Sequence, residues 1–389
     1  MLVIFLTVVL DLVGFGLVIP LLTFYAEEFD ATPQQVTALM TVYSLAQFVA
    51  APLWGQASDR YGRRPLLLAS IFMTAVMLAG FASATSLWML FLFRTLHGVM
   101  TANIAIAQAC MADLTTPETR AKGMGLIGAG FGIGFTLGPW LGGELAQGGH
   151  LTRPIWVAAG LSLLNFLLGL WLLPETRKPG SHAERRPINP LALWRAVQHP
   201  AVGLCILLTG VFIFAFAAME STFTLFAEHE HHLKPEQIGR MFGVIGVVGA
   251  IVQGGLIHRL VKRFGEAALL PPAFLMVAAG LIVMPFAPLG GALLSTFALI
   301  ACGQGVVSPA LQSLVSRGVP ADAQGEVMGS NQSMGALARV FGPLVGGFLF
   351  QNVNRGAPFW LAGGLMVAAA GLSVLAGRRA MEHRSAQVA

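Results

Sequence analysis

Four ionisable residues interrupt long apolar runs: Asp11, Arg94, Glu220 and Arg339. A charge inside hydrocarbon is costly and marks a functional site by default. A carboxylate in such a place holds a proton when oil surrounds it and gives it up beside an arginine. A site that alternates between those settings can carry a proton across. At 1.5 Å per residue, Asp11 lies roughly 14 Å into its run and Arg94 roughly 20 Å from the same side. Glu220 and Arg339 lie roughly 25 and 22 Å into theirs. We therefore expect an Asp11–Arg94 pair in the first half and a Glu220–Arg339 pair in the second. The alternative is that both pairs are static and structural. Gln47, Asn103, Gln108, Gln304, Gln312, Asn331 and Gln332 stand in neighbouring runs. Together they suggest a polar cavity, although each alone suffices to join two helices by hydrogen bonds. Phe212, Phe216, Phe223 and Phe226 flank Glu220 and offer aromatic faces that suit a lipophilic cation. Lipid-facing phenylalanines are the plainer reading.

These residues need a scaffold of membrane helices. The chain has 389 residues, 56% hydrophobic and 11% charged, whereas a soluble domain is about 25% charged. That excludes a soluble enzyme, a disordered chain and a secreted disulfide scaffold. Cys110, Cys205 and Cys302 all fall in apolar segments, so no disulfide framework is indicated. A spanning helix needs about 20 apolar residues. The apolar runs place spans at 2–26, 34–56, 65–83, 87–112, 120–146, 154–173, 201–228, 236–259, 268–287, 290–316, 324–350 and 357–377. With both termini in the cytoplasm, 17 of the 23 Lys and Arg fall on the inner side and four on the outer, as the positive-inside rule requires. The net charge of +5 is thus topogenic, and no nucleic-acid partner is implied.

The polar stretch 174–200 carries Pro179, Pro187 and Pro190 and separates two groups of six spans. The expected organisation is a bundle over 1–173, a cytoplasmic linker over 174–200, a bundle over 201–377 and a cytoplasmic tail over 378–389. The halves echo each other: Thr23–Val36 resembles Thr224–Ile238, and Met124–Gly143 resembles Met328–Gly347, at offsets of 201 to 204. Parallel repeats of this kind are a transporter design with the substrate near the midplane.

Between the second and third spans lies Gly55-Gln-Ala-Ser-Asp59-Arg60-Tyr-Gly62-Arg63-Arg64. Its arginines hold the loop inside, but orientation alone would place no acid at position 59. A carboxylate there can accept hydrogen bonds at a helix N-terminus and interact with its dipole. The fourth span carries Arg94-Thr-Leu-His97-Gly98. The fifth spaces Gly125, Gly134, Gly138-Pro139 and Gly142-Gly143, intervals that let backbones approach closely and permit a bend at proline. These motifs, with Asp11–Pro20, Asn189-Pro190-Leu191 and Pro309–Gln312, resemble the major facilitator superfamily over nearly the whole chain. Within it they resemble the tetracycline/proton antiporters and their multidrug relatives. The resemblance implies an all-α membrane protein of two pseudo-symmetric six-helix bundles. It also implies that Asp59 clamps the start of the eleventh helix, that Asp113 pairs a loop arginine to latch one conformation, and that the fifth-span glycines mark an antiporter. Met77 and Val277 stand where the tetracycline pumps carry further acids, a departure that bears on cargo and leaves the fold untouched.

The expected function is proton-coupled export of a small lipophilic or cationic compound by a monomer in a bacterial inner membrane. Protons are the coupling ion, and no cofactor or metal is called for. One charge crossing 100 mV supplies roughly 2.3 kcal/mol, enough for a gradient of roughly 50-fold. A transporter of a sugar or amino acid is the alternative, and a non-transporting receptor or scaffold a more distant one. Glu228–His232 has ligand-type side chains but is expected as a solvated outer loop. Gly123–Gly128 spells a nucleotide-loop pattern without the preceding strand it needs and is expected as a packing face.

Overall fold

The computed structural model describes residues 1–101, 103–116, 119–176, 192–200, 202–319 and 324–388, and among them every regular element is helical. Twelve helices are long and apolar enough to cross a bilayer. They are α1 (Leu2–Glu27), α2 (Pro33–Tyr61), α3 (Arg63–Ala82), α4 (Leu87–Asp113), α5 (Arg120–Leu145), α6 (Arg153–Leu172), α7 (Gly203–His231), α8 (Pro235–Phe264), α9 (Glu266–Phe286), α10 (Gly291–Arg317), α11 (Gln324–Asn352) and α12 (Ala357–Val388). The expected all-α fold with twelve spans is therefore the observed one.

The ends differ where charge begins. α2 continues through the basic motif to Tyr61, and α8 runs on to Phe264. Hydrophobicity locates the hydrocarbon, whereas the backbone stays helical beyond it until a residue stops it. Gly62 (φ 101°, ψ 153°) and Gly265 (φ 78°, ψ 156°) are those stops, because that combination of positive φ and extended ψ is open essentially to glycine alone. α7 likewise reaches His231, so most of the expected outer loop at 228–232 is the last turn of a helix. Of the expected linker, residues 177–191, Asn189-Pro190-Leu191 among them, lie outside the described residues. Ala192–Gln198 is a short helix. The helix of α12 extends through 378–388, where a tail was expected.

Cα packing divides the chain into two units, Met1–Pro187 with His232–Gly246, and Ile188–His231 with Val247–Ala389. Inside the first, α1 packs on α5 and α6, α3 on α6, and α2 on α4. Inside the second, α7 packs on α11 and α12, and α9 on α12 and α10. The α1–α5 and α3–α6 pairings thus recur six helices later as α7–α11 and α9–α12. One apolar core of the first unit gathers Ile4, Val8 and Leu12 of α1 with Leu67, Ile71, Ile106, Met111 and Ile127. Asp11 is next in sequence to that core and buried.

Candidate functional site

α4 is two helices. Leu87–Met100 ends at Thr101, whose backbone is extended (ψ 102°), and the second helix starts at Asn103. A break strands the last carbonyls of the first piece, and in a membrane each must find a donor. Side chains supply them: Trp54 Nε1–H donates to Val99 O (2.7 Å), the Ser70 hydroxyl to Met100 O (2.9 Å), and Gln47 Nε2 reaches Thr101 O at 3.5 Å. Neither Trp54 nor Ser70 was singled out in the sequence. An indole N–H and a hydroxyl in apolar runs opposite a Gly98–Thr101–Asn103 cluster were the available signal.

The break presents Asn103 to α1. Its Nδ2 donates to Asp11 Oδ1 (2.5 Å) and lies 3.4 Å from Thr74 Oγ1, while its own Oδ1 is buried without a partner. Asp11 therefore bonds to an amide, and the expected Asp11–Arg94 ion pair is not formed. Arg94, 4% exposed, stacks over the Tyr43 ring at 4.7 Å and near Phe81 at 6.0 Å. Its Nε has no hydrogen-bond partner. Among the described residues no carboxylate forms an ion pair with it. The reason is directional: equal depth in two helices does not make their side chains face each other, and Tyr43 occupies the guanidinium's face. His97 packs edge-on against the same Tyr43 ring. Gln108, on the same helix, is partly exposed.

In the second unit Glu220 of α7 is half-buried, and Arg339 of α11 lies within electrostatic reach of it. Gln304 of α10 leaves its Oε1 buried and unpartnered. Phe216 is partly exposed beside Phe212, ring centroids 6.4 Å apart. Phe223 does not line a cavity. It is wholly buried, edge-on to Phe297 at 4.4 Å, and Phe226 packs on Phe359. Phe223 is a core residue because its side of α7 faces α10, whereas Phe226, also buried, lies against α12 at the wall of a cavity lined further by Phe350, Arg355 and Trp360.

The loop motif forms a closed cluster. Arg63 pairs with Asp59 (2.7 Å) and Asp113 (3.2 Å) and donates to Ser58 Oγ (2.6 Å). Thr176 donates to the same Asp113 oxygen, and Arg64 donates to Leu170 O (2.6 Å). Arg60 lies over the Tyr61 ring. Glu175, absent from the sequence reading, accepts from the backbone N–H groups of Arg63 (3.0 Å) and Arg64 (3.2 Å) at the start of α3. A mirrored contact exists in the second unit. Glu266, at the start of α9, pairs with Arg317, at the end of α10 (3.2 Å), and accepts from Ser313 (3.0 Å). The ion pair repeats with its charges exchanged.

The α5 glycines divide into two sets. A Cβ on Gly138 would lie 2.6 Å from Gly16 Cα, and Cβ atoms on Gly134 and Gly142 would strike Leu12 and Leu17 of α1. Gly143 is closed off by Pro235 O at 2.6 Å, and Gly16 itself would meet Pro139 Cδ at 3.0 Å. Gly55, Gly125 and Gly128 meet nothing within 4 Å. Among the described residues nothing packs against Gly125 or Gly128, so the expected close packing is seen at Gly123, against Met111 and Thr115, and not at these two.

Twelve spanning helices in repeated pairs, with buried Asp11 and half-buried Glu220 among them, are the architecture of a membrane transporter. The family model described as Major Facilitator Superfamily matches residues 4–343, and the chain belongs to that family. It is similar to the class C tetracycline resistance protein of Escherichia coli, 35% identical over 87% of this chain and 86% of the relative. It is also similar to multidrug resistance protein 2 of Bacillus subtilis (strain 168), 26% identical over 93% and 91%. Among solved structures, the human organic anion transporter MFSD10 (TETRAN) matches with a TM-score of 0.73 and 28% identity, over 95% of this chain and 98% of that one. The protein is a transporter and not an enzyme.

Proposed function

We propose that the protein is a proton-coupled antiporter that exports small lipophilic or cationic compounds by alternating access, as a monomer in a bacterial inner membrane with both termini cytoplasmic. The observation that carries this reading is a carboxylate inside each unit at a polar spot: Asp11 on Asn103, and Glu220 near Arg339. Each gains or loses a proton without leaving the bundle. The Asp59–Arg63–Asp113 cluster serves as the latch, and the glycine face of α5 lets α1 and α5 move as one block. The names of the tetracycline and multidrug resistance relatives support the same class of cargo. The test is flux into proteoliposomes under an imposed pH difference. Uptake of tetraphenylphosphonium or tetracycline should follow the gradient and stop with an uncoupler; no flux at any gradient refutes the reading.

Arg94 favours a second reading. A buried guanidinium stacked on Tyr43 with no carboxylate to pair with would be completed by a cargo that brings its own negative charge, an amphipathic organic anion. The name of the human structural relative agrees with that chemistry. An organic anion moving faster than tetraphenylphosphonium in the same vesicles would select it.

A further inference from the structure

Between the Glu266–Arg317 pair at one end and the middle of α7, α10 and α11 lie two polar layers, of which only the deeper contains charge. α7, α10 and α11 share an end, since Gly318 abuts Val202 and Gln324 Nε2 donates to Ser316 O (2.8 Å). Measured from that end at 1.5 Å per residue, Gln304, Glu220 and Arg339 lie about 20–26 Å along their helices. Thr209, Gln312 and Asn331 lie about 8–11 Å along theirs. This lower layer encloses a cavity of about 40 Å³, lined by Thr209, Phe212, Ser308, Gln312, Asn331 and Gln332 among others. A water needs about 10–15 Å³ of such space, so the cavity has room for a small polar group such as a hydroxyl or an amide.

Two of the lining residues point to a donor. No lining residue is ionisable. Asn331 is 4% exposed and its Oδ1 is buried without a hydrogen-bond partner. An amide oxygen abandoned in this way is a cost that a donor removes. The Thr209 hydroxyl already donates its proton to Cys205 O (3.0 Å), so toward the cavity its oxygen is an acceptor. Phe212, Ile213 and Leu311 supply apolar walls. We infer that this cavity is a cargo subsite for an uncharged hydrogen-bond donor, separate from the Glu220–Arg339 layer, with Asn331 and Thr209 as the acceptors. The inference rests on the transporter reading and specifies part of the cargo: a neutral hydroxyl or amide N–H about 12 Å from any charge-bearing group it carries.

Two probes separate this subsite from the charged layer. Chloramphenicol is neutral with two hydroxyls and an amide N–H; tetraphenylphosphonium is a cation with no donor. Binding of each radiolabelled compound to the purified full chain is measured by equilibrium dialysis. Asn331→Leu and Thr209→Val should each weaken chloramphenicol about tenfold and leave tetraphenylphosphonium unchanged, with melting temperature confirming an intact fold. Asn331→Gln, which keeps the amide, should retain most of the affinity. Equal loss for both probes, or no loss for chloramphenicol, overturns the subsite. Wild-type protein that binds tetraphenylphosphonium but never chloramphenicol also overturns it while the transporter reading stands. Protein that binds neither and moves neither in vesicles refutes the proposed export of lipophilic or cationic compounds itself.

Discussion

Gly138→Ala tests whether the α1–α5 contact requires bare backbone. The added methyl would lie 2.6 Å from Gly16 Cα and 2.9 Å from both Gly16 C and Val13 O, where carbon contacts relax at about 3.5–4.0 Å. All three obstacles are backbone, so no side chain can swing away and the helices must part by roughly 1 Å. Overpacking of this kind costs about 1–3 kcal/mol. Alanine also favours the helix by about 1 kcal/mol, which would blur a single measurement. Gly125→Ala on the same helix gains the same propensity and meets nothing, so it cancels that effect. The two variants should differ by about 1–3 kcal/mol, or about 5- to 150-fold in the unfolding equilibrium. Cys110 and Cys205 are buried and free, so a thiol-reactive fluorophore reports unfolding, with Cys302→Ser removing the part-exposed thiol. Indistinguishable denaturation curves for the two alanine variants would refute the close-contact argument.

Three further outcomes are expected. Asp11→Asn and Glu220→Gln should each abolish accumulation driven by a pH difference while leaving downhill exchange measurable in the same vesicles; full proton-driven transport by both removes them as carriers. Trp54→Phe leaves Val99 O without its donor, and should lower stability by about 1–2 kcal/mol and speed hydrogen exchange at the α4 break, readable by mass spectrometry. Glu175→Gln weakens the acceptor at the start of α3 and should cost about 0.5–1 kcal/mol, more at low salt than at high; a salt-independent effect would show that its charge is irrelevant.

The spans were legible because about 20 apolar residues in a row admit few other fates. Helix ends were less so, since α2 and α8 continue as polar helices up to Gly62 and Gly265. The pairing of Asp113 with a loop arginine was implied by the family resemblance, but Glu175 was not foreseen, because an acid after a proline carries no local sign that it will reach back to α3. Depth along a helix placed Asp11 and Arg94 at one level correctly enough to suggest a pair, yet azimuth decides contact, and hydropathy contains none. The same blindness made Phe223 a cavity residue when it faces Phe297. The α4 break escaped because neither Pro nor a charge marks Thr101. Its evidence lay in other helices, in the donors of Trp54 and Ser70.

The two mirrored ion pairs are electrically unequal. Glu266 opens α9 and Arg317 closes α10, each charge resting on the helix end of opposite polarity. Arg63 opens α3 and Asp113 closes α4, each facing its own sign. With about 0.3–1 kcal/mol for every such end, reversing two of them biases the clasps by roughly 1–4 kcal/mol in favour of the second unit. Asp59, paired with Arg63, and Glu175, on the backbone at the start of α3, are the acids that make the unfavourable clasp tolerable. A fastening held against its own field depends on third parties and springs when they leave, whereas its twin shuts unaided. In the proposed antiporter, the first unit thus owns the catch that can be let go.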